Sequence, residues 1–289
     1  MTTRGYDLTP RRVAYQLDGG LKLIGDTWGD PTATPVLFLH GGGQTRHAWG
    51  GTARTLAGKG WHAVALDLRG HGESDWSPDG DYLIDVFVKD IHQVIDHFQR
   101  PPVLVGASLG GMTSLLVAGE ASPPVASAVV LVDITPRVEP KGVERIRAFM
   151  TARPEGFASL EEVADAVAAY IPHRPRPKDL KGLEKNLRKG PDGRYHWHWD
   201  PQIISPARFA QRRDPERFLA AARSLRIPTM LVRGKLSDVI SDETVNEFLA
   251  AAPHAKYADV SEAGHMVAGD QNDVFSQAVI DFLSGAKPI

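Results

Sequence analysis

The chain has 289 residues, a length that suits one large domain with an insertion or two small domains. Hydrophobic residues make up 42% and charged residues 24%, which provides for a sizeable core and excludes a disordered tail or a fibre. Lys+Arg 33 against Asp+Glu 35 leaves no basic excess, so no nucleic acid is expected as partner. Cys 0 removes disulfides, thiolate nucleophiles and zinc-thiolate sites together.

The opening segment, Met1 to Gln16, carries Arg4, Arg11 and Arg12 but no apolar run of the length a secretory signal needs, so cytoplasmic residence is expected. Arg12 to Gln16 and Leu21 to Thr27 flank Asp18-Gly19-Gly20 and predict a β-hairpin. Short runs rich in Val, Ile and Leu follow at Val36 to Leu39, His62 to Asp67, Val103 to Ala107, Ala126 to Asp133, Pro228 to Arg233 and Ala255 to Val260. Helical patterns separate them, which predicts an α/β fold with buried parallel strands and right-handed crossovers. From Pro101 to Val132 the only charged residue is Glu120, but prolines and glycines interrupt the stretch, so it reads as buried core and no membrane is expected as partner.

Between Thr135 and Arg213 the rhythm breaks: helix-like runs such as Leu160 to Tyr170 occur with Pro172, Pro175 and Pro177, and no strand is expected. The predicted organisation is a core of residues 1–134 and 214–289 with a helical cap over 135–213. From Arg174 to Arg194 basic residues stand at 174, 176, 178, 181, 185, 188, 189 and 194 against acidic ones at 179, 184 and 192. This run is read as a solvated face, with attraction of anionic substrates as the weaker alternative.

Gly106-Ala107-Ser108-Leu109-Gly110 follows the strand at 103–107 and precedes a helix-competent run, which is the setting of a nucleophile elbow. Ser108 is the candidate nucleophile. A serine hydroxyl needs a base, and the base needs an orienting carboxylate. His265, in the loop after the last strand, is assigned as base. Asp238, in the loop after the strand at 228–233, is assigned as acid in preference to Asp133, which also stands at a strand end. An oxyanion needs preorganised backbone donors, and His40-Gly41-Gly42-Gly43 offers unhindered backbone after the strand at 36–39. The assigned donors are the Gly42 and Leu109 N–H groups. Asp67 to Ser74 reads as a structural loop in which Asp67 and Arg69 fix the geometry.

These motifs, with Ser237-Asp238 and Gly264-His265, resemble those of the α/β-hydrolase fold superfamily over nearly the whole chain outside the expected cap. The resemblance implies an eight-stranded, mostly parallel sheet with helices on both faces and a cap inserted after the sixth strand. Relatives that open epoxides or remove halide use Asp at the elbow, so Ser108 points to acyl transfer instead. The expected activity is hydrolysis of a carboxylic ester of a small or medium, largely apolar substrate. Carbon-carbon, lactone, thioester and perhydrolase chemistry stand as alternatives on the same triad. A cofactor-free lyase or oxygenase using His265 as base, or a non-enzymatic receptor, are alternatives of another class.

Tyr195 to Asp200 is the densest aromatic stretch, and Trp197 and Trp199, with Trp49 and Met112, are the candidate substrate contacts. His196 and His198 lack a third metal ligand nearby, so no metal is assigned. No cofactor is expected, because the glycines match neither a phosphate loop nor a dinucleotide fingerprint. A small-molecule substrate is the only partner expected, and the oligomeric state is left open.

Overall fold

A computed structural model describes residues 8–172, 175–205, 214–261, 264–265 and 272–285. The strands of the main sheet are β1 (Arg11–Gln16), β2 (Lys22–Trp28), β3 (Pro35–Leu39), β4 (His62–Leu66), β5 (Val103–Ala107), β6 (Ala128–Val132), β9 (Thr229–Gly234) and β10 (Lys256–Val260). They lie in the order β1-β2-β4-β3-β5-β6-β9-β10. β1, β2 and β4 pair antiparallel; every other neighbouring pair is parallel. This is the mostly parallel, eight-stranded sheet that the motifs imply.

The central strands are buried on both faces, and their side chains divide by the two-residue period of a strand. Leu37, Leu39, Leu104, Val129 and Leu131 join one core, with residues of α2 (Ile84–Ile95), α3 (Leu109–Glu120), α6 (Pro215–Ser224) and α7 (Asp242–Ala251). Val36, Phe38, Val103, Val105, Val130 and Val132 join the other, with α1 (Gly50–Gly58) and α8 (Asn272–Gly285). Full burial of each such side chain contributes about 1.5–3 kcal/mol. The sheet is thereby clamped between two helical layers, and its C-terminal strand ends become a rigid rim.

Between β6 and β9 the chain leaves the sheet. It forms α4 (Pro140–Thr151), α5 (Leu160–Tyr170), a 3-10 turn (Lys181–Asn186) and a small antiparallel pair, β7 (Leu187–Lys189) and β8 (Tyr195–Trp197). Ser159 caps α5 by accepting the Glu162 N–H at 3.4 Å. The β7–β8 pair departs from the strandless stretch expected from sequence. It closes where the Gly193 N–H meets the Gly190 carbonyl at 3.0 Å, with Gly193 at φ +77. Strands of three residues are too short to show an alternating pattern. Residues 206–213 of the predicted cap and Arg174 of the basic run lie outside the described residues.

Candidate active site

Ser108 stands between β5 and α3 with φ 47 and ψ −112, a backbone conformation that a residue with a Cβ adopts only when its surroundings impose it. Two glycines make that possible. A Cβ on Gly106 would lie 2.3 Å from the Gly110 carbonyl oxygen, and one on Gly110 would lie 2.3 Å from the Leu39 carbonyl oxygen. The helix can therefore sit down on the strands only without those side chains, and this close approach drives Ser108 out over the rim.

Ser108 and His265 line the same cavity, of about 370 Å³. The acid that orients the histidine is Asp133, not Asp238. His265 Nδ1 donates to Asp133 Oδ2 at 2.7 Å, and Asp133 is fully buried at the end of β6. Its other oxygen accepts the Gly234 N–H at 3.0 Å, and the Ser237 hydroxyl donates to the oxygen that His265 uses. Asp238 is 39% exposed and accepts from Arg145 of α4 at 2.9 Å. The reason is local. β9 ends at Gly234, and the Ser237 N–H bonds the Gly234 carbonyl at 2.9 Å, so the chain has turned towards α4 before it reaches residue 238. Asp133 instead follows β6 directly, on the strand that pairs with β5.

With Nδ1 donating to Asp133, His265 presents Nε2 as the ring's lone-pair atom. Among the described residues Ser108 Oγ forms no hydrogen bond; a serine–histidine contact commonly tightens only when substrate binds. Of the segment 263–266, only Gly264 and His265 are described.

The backbone around the nucleophile has two unspent donors. Ser108 N–H bonds the Val132 carbonyl at 3.2 Å and Gly110 N–H bonds the His40 carbonyl at 3.1 Å. Gly41 N–H bonds Gln44 Oε1 at 3.0 Å and Gly43 N–H bonds His71 Nε2 at 3.1 Å. Among the described residues the N–H groups of Gly42 and Leu109 bond nothing within the protein, and both residues line the cavity.

Three neutral histidines hold the glycine loop. His40 accepts the Leu68 N–H at 3.0 Å and donates to the Gly41 carbonyl at 2.8 Å, which fixes its tautomer. His71 donates to the Arg69 carbonyl at 3.0 Å while accepting from Gly43. His198, which follows β8, accepts the Gly72 N–H at 2.6 Å and donates to the Gly43 carbonyl at 3.3 Å. Burial lowers the pKa of His40, and it lowers that of His198 to about 3, with His40 nearby adding to the effect. None of these three histidines was recognisable from sequence as a support for the glycine loop. Asp67 and Arg69 do organise the adjoining loop: Asp67 accepts the Arg46 and Glu73 N–H groups at 2.7 and 3.0 Å, and Arg69 grips Asp90 through two bonds of 2.6 Å.

Met112, Trp197 and Trp199 line the cavity as expected contacts. The two indoles stack at 4.9 Å and 13°, with Phe149 beside Trp197 at 5.4 Å. Trp49 does not reach the cavity. It is fully buried against Phe38 at 5.3 Å and Phe275 at 5.7 Å, on the far face of the sheet. The 3-10 turn Arg46–Trp49 presents His47 and Ala48 to the cavity and turns the next residue away. Rotation within one turn is invisible to a reading by proximity in sequence. His196 bonds Asp192 at 3.2 Å while His198 faces the core, and among the described residues no cluster of His, Asp and Glu could hold a metal ion. No described helix is long and apolar enough to cross a membrane.

Comparison with known proteins gives this geometry its family. Esterase Rv0045c of Mycobacterium tuberculosis is 32% identical over 270 residues, 89% of this chain and 84% of that protein. A 3-hydroxybutyrate-oligomer hydrolase of Cupriavidus necator is 30% identical over 256 residues, covering 82% and 85% of the two chains. A crystal structure of the M. tuberculosis esterase superposes with a TM-score of 0.74 at 30% identity, covering 96% of this chain and 92% of that one. The family model for the alpha/beta hydrolase fold matches residues 34–270, from the strand before the glycine loop to just past the histidine, and the chain belongs to that family.

Proposed function

We propose that the protein is a serine hydrolase that cleaves a carboxylic ester of a small or medium, largely apolar substrate through an acyl-enzyme. The observation that carries this reading is the strained Ser108 sharing one cavity with His265, whose ring is bonded to the buried Asp133. The names of the esterase and oligomer-hydrolase relatives support it.

In the proposed reaction Ser108 Oγ attacks the ester carbonyl carbon while His265 Nε2 takes the hydroxyl proton. Asp133 stabilises the imidazolium that results. The carbonyl oxygen becomes an oxyanion, which accepts hydrogen bonds from the Gly42 and Leu109 N–H groups; losing one donor of this kind costs about 10²–10³ in rate. The intermediate collapses as the bond to the alcohol oxygen breaks, and His265 returns its proton to that oxygen. A water then attacks the acyl-Ser108 carbonyl by the same route in reverse, releasing the acid and restoring the hydroxyl. Residues 135–213 act as a cap that supplies the apolar wall of the pocket, through side chains such as Ile146, Phe149 and Trp197.

The test is intact-protein mass spectrometry after incubation with a fluorophosphonate, beside turnover of p-nitrophenyl butyrate, in wild type and Ser108→Ala. One adduct and ester turnover, both lost in the variant, are expected. A folded wild-type protein with neither adduct nor turnover would overturn the acyl-enzyme reading and favour chemistry in which His265 alone acts as base.

A further inference from the structure

The cavity wall is uneven in chemistry. Most of it is aliphatic or aromatic, but one corner gathers Thr45, His47, Lys185 and Asn186. Among the described residues lining the cavity, Lys185 alone carries a permanent charge, and no Asp, Glu or Arg stands beside it on the wall. Among the described residues Lys185 forms no ion pair. Its neighbour on the 3-10 turn Lys181–Asn186 is held in place: Thr45 Oγ1 donates to Asn186 Oδ1 at 3.2 Å, and the His198 N–H bonds the Asn186 carbonyl at 3.2 Å. That arrangement leaves the Asn186 NH₂ without a partner among the described residues, so a spare amide donor stands next to the cation. Thr45 and His47 belong to the loop that continues from Gly42. The corner is therefore tied to the oxyanion side of the cavity.

The other charges facing this corner do not cancel the lysine. Asp26 lies 3.8 Å from His47 but is held at 3.0 Å by the Arg46 guanidinium, which also binds Asp67 and Glu73. Burial first, then Arg46, lowers the pKa of His47; Asp67 and Asp26 oppose them, and Lys185 adds a smaller lowering. The solvent-exposed Lys185 beside the Asn186 amide donor, on a largely apolar wall with no acid among its described lining residues, has the chemistry of a carboxylate receptor.

We infer that Lys185 and Asn186 form a subsite for a carboxylate on the substrate, so that the preferred esters carry an anionic group in addition to the scissile bond. This inference rests on the hydrolase reading above and narrows it to anionic esters. Lys185 is thereby a specificity-determining residue.

The test compares kcat/KM for mono-p-nitrophenyl adipate with that for its neutral methyl ester, read by p-nitrophenolate release, in wild type, Lys185→Met, Lys185→Glu and Lys185→Arg. Butyryl esters of 3-hydroxybutyrate and of its methyl ester, followed by pH-stat, place the carboxylate on the alcohol side instead. Wild type is expected to favour the acid in one of the two pairs by roughly tenfold, the discrimination a charge-assisted hydrogen bond supplies at a half-open site. Lys185→Met removes the preference, Lys185→Glu inverts it and Lys185→Arg retains most of it. Added salt shrinks the wild-type ratio. A wild-type ratio near one in both pairs, or a preference unchanged in Lys185→Met, overturns the subsite. Absence of turnover on every neutral ester, with no fluorophosphonate adduct, is instead a failure of the hydrolase reading itself.

Discussion

The rim of the sheet and the segment inserted between β6 and β9 meet at one cavity but are built in different ways. At the rim, backbone pairing and glycine contacts fix each group: Ser108 between β5 and α3, Asp133 at the end of β6, and the glycine loop after β3. In the insertion, short elements are held by side chains. Trp197 stacks on Trp199, His198 bonds Gly72 and Gly43, and Asp200 accepts the Tyr82 hydroxyl at 2.6 Å while its N–H bonds the Gly70 carbonyl at 2.8 Å. In the proposed reaction the rim contains the groups for bond breaking, which tolerate little displacement. The insertion contains the wall, whose shape can change without disturbing them.

The sharpest way to test this division is at the rim. Ser108→Ala is expected to lower kcat/KM for any ester by at least about 10⁴-fold with the fold retained, as judged by circular dichroism. Asp133→Asn removes the acceptor of the His265 ring and should cost about 10³–10⁴-fold. Asp238→Asn only loosens an exposed pair with Arg145 and should cost less than about threefold. The reverse order would return the acid role to Asp238, and equal losses would sink its assignment to Asp133 alone.

His198 joins the two regions, and its substitution should be felt in both. His198→Ala strands the Gly72 N–H and the Gly43 carbonyl, and a loss of about 2–4 kcal/mol in urea denaturation is expected. A fall in kcat of roughly tenfold should accompany it, because the glycine loop loses a support. The same side chain gives stability a pH dependence. Its pKa is about 3 in the folded protein against an ordinary 6.5, so only the unfolded chain takes up its proton between those values. The contribution is complete above pH 6.5 and is lost as pH falls towards 3. His198→Ala should therefore show a shallower decline in stability over that window than wild type, and an identical slope would sink the assignment.

On the wall the effect is expected in substrate binding alone. Trp197→Ala should raise KM for an apolar ester by about tenfold, the worth of one lost aromatic contact, with kcat within about threefold. Trp49→Phe makes the opposite contrast: its cost belongs in the denaturant midpoint, with KM unmoved, because the indole packs on the far face of the sheet.

The same division explains what could be read from the sequence. The strands of the main sheet and the elbow were legible because fully buried strands are short apolar runs, and because Ser108 needs small residues on either side. Gly42 and Leu109, expected as donors from the glycine loop and the elbow, line the cavity with N–H groups that bond nothing among the described residues. The choice between Asp133 and Asp238 was not legible, because both follow strand ends and only the turn at residues 234–237 directs one inward and the other towards α4. Trp49 failed for a similar reason, a rotation within one turn. The roles of His198 and of the β7–β8 pair depend on contacts across more than a hundred residues of chain, such as His198 with Gly72, and no local pattern announces them.

The position of Asp133 also has a consequence for the time course of folding. Its N–H bonds the Val232 carbonyl at 2.7 Å and its Oδ1 accepts the Gly234 N–H at 3.0 Å, so its surroundings are complete only when β9 has docked on β6. That pairing closes a loop of about 95 residues, one of the costlier closures the chain must make. Nucleophile, glycine loop and acid all lie in the first half of the chain, yet they form a working arrangement only once the second half has been threaded back onto the sheet. In refolding from urea, ester hydrolysis should therefore return later than the far-ultraviolet signal of the helices. In the proposed mechanism, a newly made chain still lacking β9 would carry Ser108 without the completed carboxylate environment on which its activation depends.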